Sequence, residues 1–132
     1  MKTYATVIGV VQYKKQILIL KRTPTRHSSP SLWQPVSGYL GERESAEEAV
    51  LREVKEETGL DGEITKSGKV FEVTDKYGRW IILTYLVKVT NDKVKIDPKE
   101  HSDYEWIRPQ DYKNFKCVKG VKEDLKSVGL IV

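Results

Sequence analysis

Apolar residues near the N-terminus fall in two short runs, Thr6–Val11 (TVIGVV) and Gln16–Lys21 (QILILK), separated by Tyr13-Lys14-Lys15. Runs of this length rich in Val and Ile predict β-strands, and the polar break predicts an antiparallel hairpin. Thr23–Leu32 (TPTRHSSPSL) is rich in Pro, Ser and Thr and reads as a loop. Trp33–Val36 then leads into Gly38. Beyond Ser45 the period changes: Ala46, Ala49, Val50 and Val54 recur three and four apart, the stripe of a helix over about 46–58. Ser45 and Glu48 form an S-x-x-E capping box at its start, and Gly59 is the expected stop. Ile64–Val73 and Arg79–Val89 read as strands joined by Asp75-Lys76-Tyr77-Gly78. A turn at Asn91-Asp92 precedes Val94–Ile96, and Asp103–Ile107 is a short strand. Residues 118–127 predict a second helix, with Val118, Val121, Leu125 and Val128 on one side and Gly120 weakening it. The order β–β–helix–β–β–β–helix predicts an α/β chain whose helices pack on a mixed sheet. Residues 1–132 are expected to form one domain, a length that suits a single core.

Composition narrows the class. Hydrophobic residues make up 39% and charged residues 32%, and no apolar run approaches the ~20 residues of a membrane helix. The N-terminal apolar stretch is short and followed by charge and a second strand, which argues against a signal peptide. A lone Cys117 allows no intrachain disulfide and fits a reducing cytoplasm. His27 and His101 are too few and too far apart for a histidine-based metal centre, so any metal is expected on oxygen ligands. The net charge is +4, unevenly placed: residues 38–60 hold seven acids against three bases, and the remaining chain is basic. An acidic helix in a basic surround suits a polyphosphate ligand. The basic surplus is dispersed, which argues against a nucleic-acid stripe.

The acidic stretch GYLGERESAEEAVLREVKEETGL, Gly38–Leu60, carries the chemistry. Glu53 lies three and four positions from Glu56 and Glu57, so on a helix the three carboxylates share one face and repel by roughly 0.2–0.5 kcal/mol per pair. Either solvent or a cation must relieve them. The spacing decides: Gly38, five residues, Glu44, seven residues, then Arg52-Glu53-Val54-Lys55-Glu56-Glu57-Thr58-Gly59-Leu60. This resembles the signature of the Nudix hydrolases (MutT-like), G-x5-E-x7-R-E-U-x-E-E-x-G-U with U aliphatic, matched at every fixed position. The resemblance implies an α/β/α sandwich around a central mixed sheet. It also implies a hydrolase that cleaves a pyrophosphate linkage in a nucleoside diphosphate-X compound by water attack on phosphorus.

Carried over position by position, the resemblance makes Glu53, Glu56 and Glu57 the metal ligands and catalytic acids, joined by the backbone carbonyl of Ser37. The metal it implies is Mg²⁺, with Mn²⁺ as the alternative; Mg²⁺ takes oxygen ligands and keeps several waters. Gly38, Glu44, Arg52 and Gly59 are structural members of the motif. Arg52 can orient a carboxylate through a forked hydrogen bond, and Glu44 can pair with it. A further carboxylate is expected on a later loop. Glu100, in E-H-x-x-Y-x-W, is the candidate, with Asp97, Asp103 and Glu105 as competitors. Arg22 and Arg26 are candidates for phosphate contact and Tyr39 for substrate binding, with Trp33, Tyr77 and Trp80 as other aromatics able to stack on a base. The run Trp33-Gln34-Pro35-Val36-Ser37-Gly38 resembles members that act on dATP or dihydroneopterin triphosphate. A (d)NTP or related triphosphate is therefore the expected substrate, giving monophosphate and pyrophosphate. The alternative is a non-catalytic nucleotide-sensing module. A small nucleotide is the expected partner; a membrane and nucleic acid are not, and a homodimer is left open.

Overall fold

The computed structural model describes all 132 residues. Strand β1 (Thr3–Tyr13) turns at Lys14-Lys15 into β2 (Gln16–Arg22), followed by the short β3 (Trp33–Gln34) and β4 (Val36–Tyr39). Helix α1 (Ala46–Thr58) leads to β5 (Gly62–Ser67), β6 (Phe71–Asp75) and β7 (Gly78–Val89). Strand β8 (His101–Ile107), a 3₁₀ turn at Pro109–Asn114 and α2 (Val121–Ser127) complete the chain. The sheet is mixed: β1 runs parallel to β7 from Thr3↔Arg79 to Gln12↔Lys88, and every other strand pairing is antiparallel.

The alternation in β1 and β2 explains the layers. Val7, Val11, Leu18 and Leu20 point to one face and pack with Ala49, Val50 and Val54 of α1. Ile8, Val10, Ile17 and Ile19 point to the other and pack with Val121, Leu125 and Val128 of α2. A strand apolar on both faces must be covered on both, and the two helices do so. The expected α/β/α sandwich is therefore present. Gly9 sets how closely α1 sits: a Cβ there would lie 3.0 and 3.1 Å from methyls of Val50 and Val54.

Three local expectations change. The run 64–73 is not one strand. It follows the edge of β7 as β5, shifts register between Ile64 and Lys66, and breaks before rejoining the same edge as β6. At the break the Gly68 amide still reaches Thr84 O at 2.7 Å, while Ser127 occupies the space a side chain would need. Val94–Ile96, after the turn, stays irregular. Its alternate apolar residues pack on the core, and the Lys95 amide caps the C-terminal carbonyl of Thr58 at 2.9 Å. Helix α2 begins only at Val121, because Gly120 sits at φ 106 as its N-cap. Strand β8 begins two residues earlier than expected, at His101, across a bulge opposite Lys21/Arg22.

Candidate active site

Helix α1 is fixed at both ends. Ser45 Oγ accepts from Glu48 N at 3.1 Å and Glu48 Oε1 accepts from Ser45 N at 2.9 Å. Gly59 takes φ 76 and donates to Lys55 O at 2.9 Å. Ala49, Val50 and Val54 are buried on the sheet, and Glu57 is buried in line with them; Glu53 is mostly covered, while Arg52 and Glu56 turn outward.

Arg52 organises the carboxylates around it. Its guanidinium grips Glu44 in a fork, Nε to Oε2 at 3.0 Å and Nη2 to Oε1 at 2.6 Å. Nη1 donates to Glu53 Oε1 at 2.6 Å and to Glu56 Oε2 at 3.2 Å. Glu44 Oε1 also accepts from Gly41 N at 2.8 Å, so the loop before the helix is tied to its middle. The hydrogen bonds that Arg52 donates hold Glu44 below the usual carboxylate range, and their acceptance by Glu44 and Glu53 raises the guanidinium further. Gly38 on β4 lies directly against Glu53, where a Cβ would collide with the carboxylate. Ser37, half-buried, precedes it opposite Ile8 of β1.

Glu57 differs from its neighbours. It is 6% exposed, and its Oε1 has no hydrogen-bond partner. Burial raises its pKa well above normal, and contact with Glu53 and the charge of Glu100 raise it further; Arg26 opposes them. His101 Nε2 stands 3.7 Å from Glu57 Oε1, too far for a hydrogen bond, and neither ring nitrogen has a partner. Burial, then the charges of Arg26 and Arg22, lower His101 to about 4 against the pull of Asp97. Glu100, half exposed, pairs with Arg26 at 2.7 Å. Arg22 is turned inward. It donates to Ser28 O at 3.0 and 2.8 Å, to Ser28 Oγ and to Gln34 Oε1, holding the 23–32 loop to the strands.

The structure thus brings Glu53 and Glu57 together with Glu100 nearby, and leaves Glu56 more exposed on Arg52. No three His, Cys, Asp or Glu side chains already close around one point. The donor set still fits a hard divalent cation. A buried carboxylate oxygen has no donor, and its neighbours are two more carboxylates.

A cleft of about 700 Å³, including its open mouth, lies on the α2 side of the sheet. Trp80 lines it and stacks on Tyr4 with centroids 4.6 Å apart. Tyr77 also lines it, whereas Trp33 packs edge-on against Phe115 in the core. Tyr39 stands 57% exposed, 6.3 Å from the Trp80 ring. Two polar groups at the cleft were not singled out from the sequence. Thr6 is 7% exposed with an unpartnered hydroxyl, and Asp124 is 4% exposed and accepts from Thr84 Oγ1 at 2.8 Å. Asp124 was detectable as an acid inside the apolar stripe of Val121, Leu125 and Val128. Thr6 gave no such signal.

Fold and site together define an α/β/α protein with a carboxylate-bearing helix on one face and a deep cleft on the other. The NUDIX domain profile matches residues 2–126, and the chain belongs to the Nudix hydrolase family. Nucleoside triphosphatase NudI of Escherichia coli O17:K52:H18 (strain UMN026 / ExPEC) is 30% identical over 142 residues, covering 99% of this chain and 100% of that protein. Nudix hydrolase 8 of Arabidopsis thaliana is 25% identical over 120 residues, which span 86% of this chain and 31% of that longer protein. Among solved structures, a MutT NUDIX hydrolase from Burkholderia pseudomallei superposes with a TM-score of 0.84 at 21% identity, covering 97% of this chain and 99% of that one. No helix is long and apolar enough to cross a membrane.

Proposed function

We propose that this chain is a Mg²⁺-dependent pyrophosphohydrolase of nucleoside triphosphates, releasing a monophosphate and pyrophosphate. The observation that carries the reading is Glu57: a buried carboxylate with an unpartnered oxygen, pressed against Glu53 and facing Glu100. Such a group is stabilised by a proton or by a cation. Glu53, Glu56 and Glu57, with the Ser37 carbonyl, would hold the metal. When bound it supplies charge neutralisation of the diphosphate and acidification of a water.

The protein's own groups do the rest. Arg52 and Gly38 fix the Glu53 carboxylate from opposite sides. Water attacks phosphorus, the new O–P bond replaces the bridging P–O bond, and a carboxylate takes the proton released; Glu100 is our candidate for that role. Arg26, held at the site by Glu100, is set to meet a phosphate; Arg22 reaches the substrate only through the loop it anchors. Tyr39 and Trp80 offer exposed ring surface to a base. The full-length similarity to a nucleoside triphosphatase supports a triphosphate substrate. On this reading residues 1–132 act as one domain in the cytoplasm on small nucleotides, with dimerisation to be set by sedimentation.

The test is Glu57→Gln, assayed on a panel of nucleoside triphosphates with products separated. Turnover should fall on the order of 100-fold or more, while the unfolding transition stays cooperative. Near-normal turnover in the variant, or nucleotide binding by the wild type with no hydrolysis in Mg²⁺ or Mn²⁺, would overturn the reading; the second result would support a sensor instead.

A further inference from the structure

The fold gives the side chain of His101 no hydrogen bond. The residue is 1% exposed, and neither ring nitrogen has a partner. A leucine would fill similar space without burying two polar atoms unpaired, so an imidazole here calls for a partner that the metal-free fold does not supply.

The sheet takes an irregular step to place this ring. Tyr104 and Trp106 of β8 stand opposite Leu20 and Leu18 and pack with them on the α1 side. Strict alternation would send His101 to the other side, with Asp103 and Glu105. The bulge prevents this. Lys21 pairs with Asp103 but Arg22 pairs with His101, so Ser102 is skipped and His101 returns to the α1 side. There its Nε2 stands 3.7 Å from Glu57 Oε1, the buried carboxylate oxygen that also lacks a partner.

The two unpartnered atoms are complementary. An ionised carboxylate only accepts hydrogen bonds, and a neutral imidazole carries one N–H to donate. A shift of about 0.5–1 Å brings the pair from 3.7 Å into hydrogen-bond range. Resting on the metal-dependent reading above, we propose that His101 is a positioning residue whose Nε2–H holds Glu57 Oε1 while that carboxylate binds the divalent cation. The bond fixes the rotation of the carboxylate, as hydrogen bonds from behind do for carboxylate ligands in general. His101 itself touches neither substrate nor ion; it acts through Glu57.

The experiment measures Mn²⁺ affinity by electron paramagnetic resonance for wild type, His101→Leu and His101→Gln, with triphosphate hydrolysis followed in parallel. His101→Leu should bind Mn²⁺ on the order of 10–100-fold more weakly than wild type. His101→Gln, whose amide NH₂ reaches the place of Nε2, should stay within severalfold of it. In protein labelled with ¹⁵N-histidine only His27 and His101 give ring signals, and His101→Gln assigns them. With Mg²⁺ the wild-type His101 proton should reside on Nε2, and that nitrogen should shift as the ion is added. Should His101→Leu not fold, these nitrogen signals and His101→Gln decide. Equal Mn²⁺ affinity in wild type and His101→Leu, His101→Gln as weak as His101→Leu, or a proton on Nδ1 in the Mg²⁺ form would overturn the role. Any of these with wild-type hydrolysis intact would leave the enzymatic reading standing. Affinities and nitrogen signals as described, without triphosphate hydrolysis, would remove the enzymatic reading and support the positioning role. No Mn²⁺ binding by wild type would overturn both.

Discussion

Gly38 shows how a single missing side chain sets a site. Its α-carbon lies where a methyl group would strike the carboxylate of Glu53, which Arg52 holds from the other side at 2.6 Å. Gly38→Ala meets the end of a flexible side chain, so the fold should survive with only a few degrees lost from Tm. Glu53, however, must swing away from its seat. Displacement of a positioned group by about 1 Å can cost on the order of 100-fold in rate. We expect kcat to fall by that order while circular dichroism is unchanged; full activity in the variant would mean that the position of Glu53 does not matter. The sequence showed which residues share this face, because helical spacing alone places Glu53 near Glu56 and Glu57. It did not show that Glu57 is buried and Glu56 is not. That depends on β8, whose His101 comes from 44 positions further along the chain to lie against Glu57.

At the scale of elements, local signals were legible and long-range ones were not. The ends of α1 were readable because capping is local: Ser45, Glu48 and Gly59 bond within their own turns. Ser45→Ala removes the acceptor for Glu48 N and should destabilise the protein by about 1 kcal/mol. Urea unfolding should show this as a lower midpoint at constant slope, with kcat within twofold of wild type, since the acidic cluster lies two turns away. A change in kcat as large as that of Gly38→Ala would mean that the helix start governs the site. The break between β5 and β6 could not be read in the same way. Residues 64–73 have strand composition throughout, and what interrupts them is Ser127, a residue from α2 packed against Gly68. Val94–Ile96 is irregular for a related reason: its alternation is satisfied by packing on the core, with no neighbouring strand to pair with.

For the whole molecule, the carboxylate cluster sets function against stability. Glu57 has a folded pKa raised above its ordinary 4.5, so the native state binds the extra proton. Stability from this group is complete below pH 4.5 and declines as pH rises from there toward the folded value. At pH 7.5 the metal-free protein therefore holds Glu57 at a disadvantage, beside Glu53 and Glu100. Glu57→Gln removes that burden, and in EDTA the variant should melt above wild type. The gap should close as pH is lowered toward 4.5. Adding Mg²⁺ should reverse the order. A ligand that binds only the native state stabilises it by RT ln(1 + [L]/Kd), about 2.7 kcal/mol at a hundredfold excess over Kd. Wild type should gain several degrees in Tm, and Glu57→Gln far less, because one of the carboxylates proposed to hold the ion is gone. Scanning calorimetry of both proteins at pH 7.5, in EDTA and in Mg²⁺, decides the matter. Equal Mg²⁺ shifts in the two would show that Glu57 is not a ligand. A Glu57→Gln melting point below wild type in EDTA would show that its buried carboxylate is not a strain on the metal-free fold.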